Sequence, residues 1–161
     1  MSDLSNPSHA RNCRDLIAWQ RAFALADHCP DVADGLSPRY PALADQIRRS
    51  AVSVASNIAE GNGRLSIGDY LRVLRMAHGS LRELETQLLL AQSRHPDGAA
   101  AVSGALAAMA EVGRLLGGLT RSLRRLRNRG TDGREAPAST SSQGASRKQE
   151  TGNRKQDRPL V

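Results

Sequence analysis

One stretch leaves this chain almost no choice of secondary structure. Tyr70, Leu74, Ala77, Leu81, Leu84 and Leu88 recur every three or four residues within a span from about Ile67 to Ser93. That is the period of one helix face; a strand would alternate. Ser66 and Asp69 stand in front of it as a Ser-x-x-Asp variant of the capping box. His95, Pro96, Asp97 and Gly98 follow it as a turn.

Three further stretches carry the same period. Leu16, Trp19, Phe23 and Ala26 predict a helix from about Asp15 to Cys29, which Pro30 should stop or kink. DVADGLSPRYP then reads as a loop, with Gly35, Pro38 and Pro41 as breakers. A second helix starts near Pro41, a residue type favoured at the first helical position, and runs to about Gly61. Leu43, Ile47, Val54 and Ile58 form its seam, and Ala51, Ala55, Ser56 and Ala59 are small enough for close helix approach. Gly61 and Gly63 match a left-handed C-cap. The fourth helix spans about Ala99 to Arg127, with Val102, Ala105, Met109, Val112, Leu116, Leu119, Leu123 and Leu126 on one face.

Four long amphipathic helices with short connections predict an all-α fold, an up-down-up-down four-helix bundle over residues 15–128. Residues 1–14 read as a flexible lead-in. Residues 129–161, rich in Ser, Thr, Gly, Gln, Pro and charge, read as a disordered basic tail.

Composition excludes several function classes. No apolar run approaches the length of a membrane span, and MSDLSNPSHARNCRDL lacks an apolar signal core. A cytoplasmic chain with no membrane partner is expected. Cys13 and Cys29 make neither a close-spaced ligand pair nor a disulfide framework and read as reduced thiols. No Glu is followed three residues later by His, and the neighbours His28 and Cys29 point to different helix sides. No metal and no cofactor are expected. Gly61-Asn62-Gly63 precedes a helix N-terminus but lacks the Lys and the strand of a phosphate loop. A nucleophile elbow and a Cys–His signature are both missing.

Two groups of polar residues remain. Gln46, Ser53, Asn57 and Glu60 flank the seam of the second helix, and Arg64 follows it. Asn57, Glu60 and Arg64 would suit a polar catalytic cluster. Hydrogen bonding across a helix interface, with Arg64 pairing to a carboxylate or capping a helix end, is the favoured reading, because buried polar groups need partners. The second group is arginine. The net charge is +7, and the only two lysines, Lys148 and Lys155, lie in the tail. Arg72, Arg75 and Arg82 fall on the far side of the third helix. Arg114, Arg121 and Arg125 cluster opposite the apolar face of the fourth, with Arg124 and Arg127 beside them and no acidic residue between Glu111 and Asp132. Such a run can contact phosphates, and the rarity of aromatics favours structured RNA or a duplex over stacked single strands.

These residues resemble a known family. DLIAWQRAFALA, LSPRYPALADQIRRSAVSVASNIAEGNGR, YLRVLRMAHGSLRELETQL and AEVGRLLGGLTRSLR are similar to the bacterial four-helix-bundle proteins first noticed as reading frames in intervening sequences of large-subunit ribosomal RNA. The resemblance covers about residues 15–127 and is most specific at SNIAEG-x-GR and GSL-x-ELE. That family in turn looks similar to the accessory variability determinant of diversity-generating retroelements. The resemblance implies a homo-oligomer, a pentamer, that binds nucleic acid and partners a reverse transcriptase; it implies no catalytic residue. The expected function is therefore a non-enzymatic RNA- or duplex-binding accessory factor. The alternative is a protein-interaction or scaffold module with no nucleic-acid role.

Overall fold

Of the breakers named in the sequence, Pro38, Pro41, Gly63, Pro96 and Gly98 fall at turns or helix ends, and Pro30, Gly35 and Gly61 lie inside helices. The computed structural model describes residues 12–36 and 38–132. The expected flexible lead-in up to residue 11 and the expected disordered tail beyond residue 132 lie outside the described residues. Four helices follow a single 3₁₀ turn at Cys13–Asp15: α1 (Ile17–Leu36), α2 (Pro41–Asn62), α3 (Ile67–Arg94) and α4 (Ala99–Asp132). A second 3₁₀ turn, Pro96–Gly98, joins α3 to α4. Each helix packs on the next in sequence, and α1 closes the ring against α4. The fold is the up-down-up-down helical bundle.

The stripes of α3 and α4 become the core as their spacing predicts. Leu74, Ala77, Leu84 and Leu88 have no exposed surface, and Tyr70 and Leu81 little. Val102, Ala105, Met109, Val112, Leu116 and Leu123 face them from α4, with Leu119 and Leu126 half-buried at the rim. Ser66 caps α3 through Oγ, which accepts from the Asp69 N–H at 3.0 Å and donates to Asp69 Oδ2 at 2.7 Å. At the other end Arg94 lies over the Tyr40 ring, 5.5 Å from its centroid, and ties the end of α3 to the start of α2.

Helix α1 corrects the sequence reading in two ways. It does not end at Cys29. It passes through Pro30 and Gly35 to Leu36. Proline inside a helix forfeits one hydrogen bond and costs about 3 kcal/mol. Beyond it, Val32, Ala33 and Leu36 are all buried, and each large apolar side chain contributes about 1.5–3 kcal/mol. Tertiary burial thus outweighs the local penalty. The buried face is also rotated from the predicted one. Ala18, Ala22, Leu25, Cys29, Val32, Ala33 and Leu36 enter the core. Trp19 and Ala26 only rim it, and Phe23 is 54% exposed, stacked on Trp19 with ring centroids 5.2 Å apart. This face alternates Leu25, Val32 and Leu36 with Ala18, Ala22 and Ala33, and α2 answers with Ile47, Val54 and Ile58 among Ala44, Ala51 and Ala55, so aliphatic side chains fill the interface and the rings stay at its edge.

Two helix ends also differ. Gly63, which closes α2, is right-handed (φ −79°, ψ −4°), so α2 has no left-handed cap and continues through Gly61 to Asn62. Helix α4 runs past Arg127 to Asp132. Its alanine-rich first half further corrects the expectation on apolar length. Among the described residues α4 is the one helix long and apolar enough to cross a membrane by length and composition. Here its stripe is spent on the bundle core.

Pro30→Ala restores the missing hydrogen bond without touching the buried face. It should raise unfolding stability by about 1–3 kcal/mol, read from the urea midpoint at unchanged m-value. A loss of stability would mean that the kink itself is needed for docking the last turn.

Candidate nucleic-acid interface

The polar flank of α2 is engaged mostly within the protein. Ser53 Oγ lies 2.8 Å from Ser80 Oγ on α3, and Asn57 Nδ2 donates to Ser53 Oγ at 3.2 Å. Ser50 Oγ reaches the Gln46 carbonyl at 2.7 Å and Gln87 Oε1 of α3 at 2.5 Å, sharing its single proton. Ser50 and Asn57 are buried, so each needs these partners. Glu60 and Arg64 form an exposed ion pair one turn apart, of a kind that contributes little to stability. The Gln46 side chain is exposed. It lines an open groove of about 620 Å³ with Arg48, Arg49, Ser50, Val52, Ser53 and Glu83, which leaves Asn57, Glu60 and Arg64 outside it. The five polar residues singled out in the sequence thus divide between a hydrogen-bonded seam, a groove wall and a surface ion pair.

Gly61 belongs to the same seam for a steric reason. A Cβ there would stand 2.6 Å from the Tyr70 ring of α3, nearer than carbon atoms approach without something shifting. The glycine serves closeness rather than an unusual backbone angle.

The arginines form the larger feature. Arg114, Arg121, Arg124, Arg125, Arg127 and Arg129 are exposed along the second half of α4, and Arg72, Arg75 and Arg82 along α3. Arg72 pairs with Asp69 at 3.9 Å and Arg82 with Glu85 at 2.7 Å. Among the described residues no ion pair involves Arg75 or the six of α4. The α1–α2 side contrasts with this. Arg48 bridges Asp34 and Asp45, and Arg21 reaches Glu111 of α4 at 3.1 Å. Arg121 folds back over Gly117 and Gly118, whose missing side chains leave room for its guanidinium.

The two arginine helices meet at His78, which the sequence reading passed over. Its Nε2 lies 3.4 Å from Thr120 Oγ1. Partial burial, then Arg82 and Arg124, hold the imidazole below its usual value. The signal was present: His78 stands between Arg75 and Arg82 on the flank of the stripe. The structure therefore gathers Arg82 and Arg124 at one place, turns Arg114, Arg121 and Arg125 outward, and leaves Arg72 with its own carboxylate. Among the described residues no group of three or more His, Cys, Asp or Glu gathers as a metal site.

Residues 14–118 match the 23S rRNA-intervening sequence protein family. The chain belongs to that family. A solved structure of a protein of unknown function from the S23 ribosomal protein family of Bacteroides thetaiotaomicron shares the bundle, with a TM-score of 0.58 at 20% identity over 62% of this chain and 94% of that one. No curated protein matches. Arg72, Arg75, Arg82 and Arg114 lie inside the family match, whereas Arg121, Arg124, Arg125 and Arg127 lie beyond its last residue.

Gly61→Ala should cost about 1–3 kcal/mol by overpacking against Tyr70. Gly79→Ala on α3, where a Cβ meets nothing within 4 Å, should instead stabilise by about 0.5–1 kcal/mol. Denaturant titration of both variants checks the pair; equal and favourable effects would refute the close contact at Gly61.

Proposed function

We propose that this protein is a non-enzymatic nucleic-acid-binding accessory factor, acting through the arginine face of α3 and α4 on structured RNA or duplex backbone. The observation that carries the reading is the set of exposed arginines without acidic partners: Arg75, Arg114, Arg121, Arg124, Arg125 and Arg127. Surface arginines elsewhere in the bundle are neutralised more often. Unpaired guanidinium groups spread along two adjacent helices suit phosphates, which release counterions when neutralised. The family takes its name from intervening sequences of 23S rRNA, which agrees with an RNA ligand. Partnership with a reverse transcriptase rests on the resemblance to the retroelement accessory determinant, and so does a pentameric assembly.

Self-association has independent physical support. Phe23 and Val52 are each 54% exposed on α1 and α2, and Phe23 is stacked on a mostly buried Trp19. Apolar surface of this kind marks a contact site. It equally supports the alternative of a scaffold module whose partners are proteins.

Polarisation binding to an RNA hairpin and a DNA duplex separates these readings. Affinity should fall steeply with salt. Replacing Arg121, Arg124 and Arg125 together by alanine should lower the log–log salt slope by up to about 3. A protein lacking residues 133–161 should still bind. Absence of binding at low salt, or indifference to the triple substitution, would leave the scaffold reading. Phe23→Glu should shift the light-scattering mass toward the monomer while the helical circular dichroism is kept; an unchanged mass would exclude this face from assembly.

A further inference from the structure

His78 lies on the flank of α3 that meets α4, one turn after Arg75 and one turn before Arg82. Its hydrogen-bonding neighbour Thr120 is 8% exposed and His78 is half-buried, so the pair sits at the seam where α3 packs on α4. Arg82 approaches the ring along α3 and Arg124 from α4. Glu85 accepts from Arg82 at 2.7 Å, and Arg124 has no ion pair among the described residues. Helix α2 meets α3 on its opposite flank, at Ser80 and Gln87.

A structural histidine between two helices is ordinarily oriented by a carboxylate or a carbonyl. Here Arg82 and Arg124 both act on its charge, and among the described residues its hydrogen-bond partner is a hydroxyl that can donate or accept. Glu85 answers Arg82, and Arg124 is left without a carboxylate among the described residues. We propose that the α3–α4 seam at His78 and Thr120, between Arg82 and Arg124, seats one phosphate of the nucleic-acid backbone, and that His78 takes up a proton as it binds. The inference rests on the nucleic-acid reading above and names one site and its regulation within it. A backbone phosphate fits better than a free anion, because the seat continues into Arg75 along α3 and Arg121 along α4, which would hold the flanking phosphates.

The sign of the pH effect follows. In the free protein partial burial, then Arg82 and Arg124, hold the imidazole below its usual value and favour the neutral ring. A seated phosphate favours the imidazolium, so the complex holds the proton more tightly than the free protein. Affinity should then rise as the pH falls through the value of the complex, and level off below that of the free protein. One coupled proton limits the slope to about tenfold per pH unit.

The full chain is titrated with a fluorescent RNA hairpin at constant ionic strength between pH 8 and pH 5.5. The unsubstituted protein should bind about three- to tenfold more tightly at pH 6 than at pH 8. His78→Gln should bind about as well at pH 8 and lose most of that gain. His28→Gln, whose ring lies 3.7 Å from Asp31 on α1, should keep it. A full pH gain in His78→Gln, or no gain in the unsubstituted protein, overturns the seat while hairpin binding stands. No hairpin binding at any pH overturns the nucleic-acid reading and the seat with it. If His78→Gln fails to fold, NMR of the His78 ring in the unsubstituted protein decides: its titration must move upward when the hairpin is added, and an unmoved titration overturns the seat.

Discussion

The bundle depends on how closely α1 and α3 can approach α2. Helix α2 presents no large aromatic side chain to either neighbour. Toward the core it offers Ile47, Val54 and Ile58 set among Ala44, Ala51 and Ala55, and toward α3 it offers Ser50, Ser53 and Gly61. The aliphatic side chains supply the burial, and the small residues let the neighbouring helix come close. The hydroxyl contacts of Ser50 with Gln87 and of Ser53 with Ser80, the latter backed by the Asn57 amide on Ser53, fix the register of α2 on α3. A slip of one helical turn would bury polar atoms without partners, at about 1–3 kcal/mol each. The polar flank of α2 thus sets its register on α3, and the arginine face is held in place by it at one remove, through α3.

Charge is divided across the molecule. On α1 and α2 Arg48 is held by two carboxylates, and Arg64 by one. The late turns of α4 have arginine without counterpart, and they fall after the last residue of the family match. The scaffold and the basic end therefore separate along the chain: the matched region carries four of the candidate arginines, and the part of α4 after residue 118 carries the others.

The parts legible from sequence are those where one physical effect dominates. The stripe from Tyr70 to Leu88, the Ser66 cap and the core face of α4 follow from periodicity and local hydrogen bonding alone. Helix α1 was less legible because two effects compete there. The aromatic rings at Trp19 and Phe23 suggest a buried face, but the core is filled by Leu25, Val32 and Leu36 instead. Pro30 likewise signals an end that burial of Leu36 overrides. Gly61 suggested a cap, and its true reason, the Tyr70 ring, comes from another helix. The meeting of His78 with Thr120 and Arg124 was illegible for the same reason: it joins residues more than forty positions apart, and only the packing of α3 on α4 sets their distance.

The cysteine beside the α1 proline has a chemical consequence. Cys29 is fully buried, and burial pushes its thiol up to about 11, so thiolate is scarce near neutral pH. Reagents meet it only when the end of α1 lifts away from the bundle. Pro30 removes one rung of the ladder at that point, which lowers the cost of such an opening. The thiol is a built-in clock: its rate of alkylation counts the excursions of the last turns of α1, independently of anything bound on the arginine side.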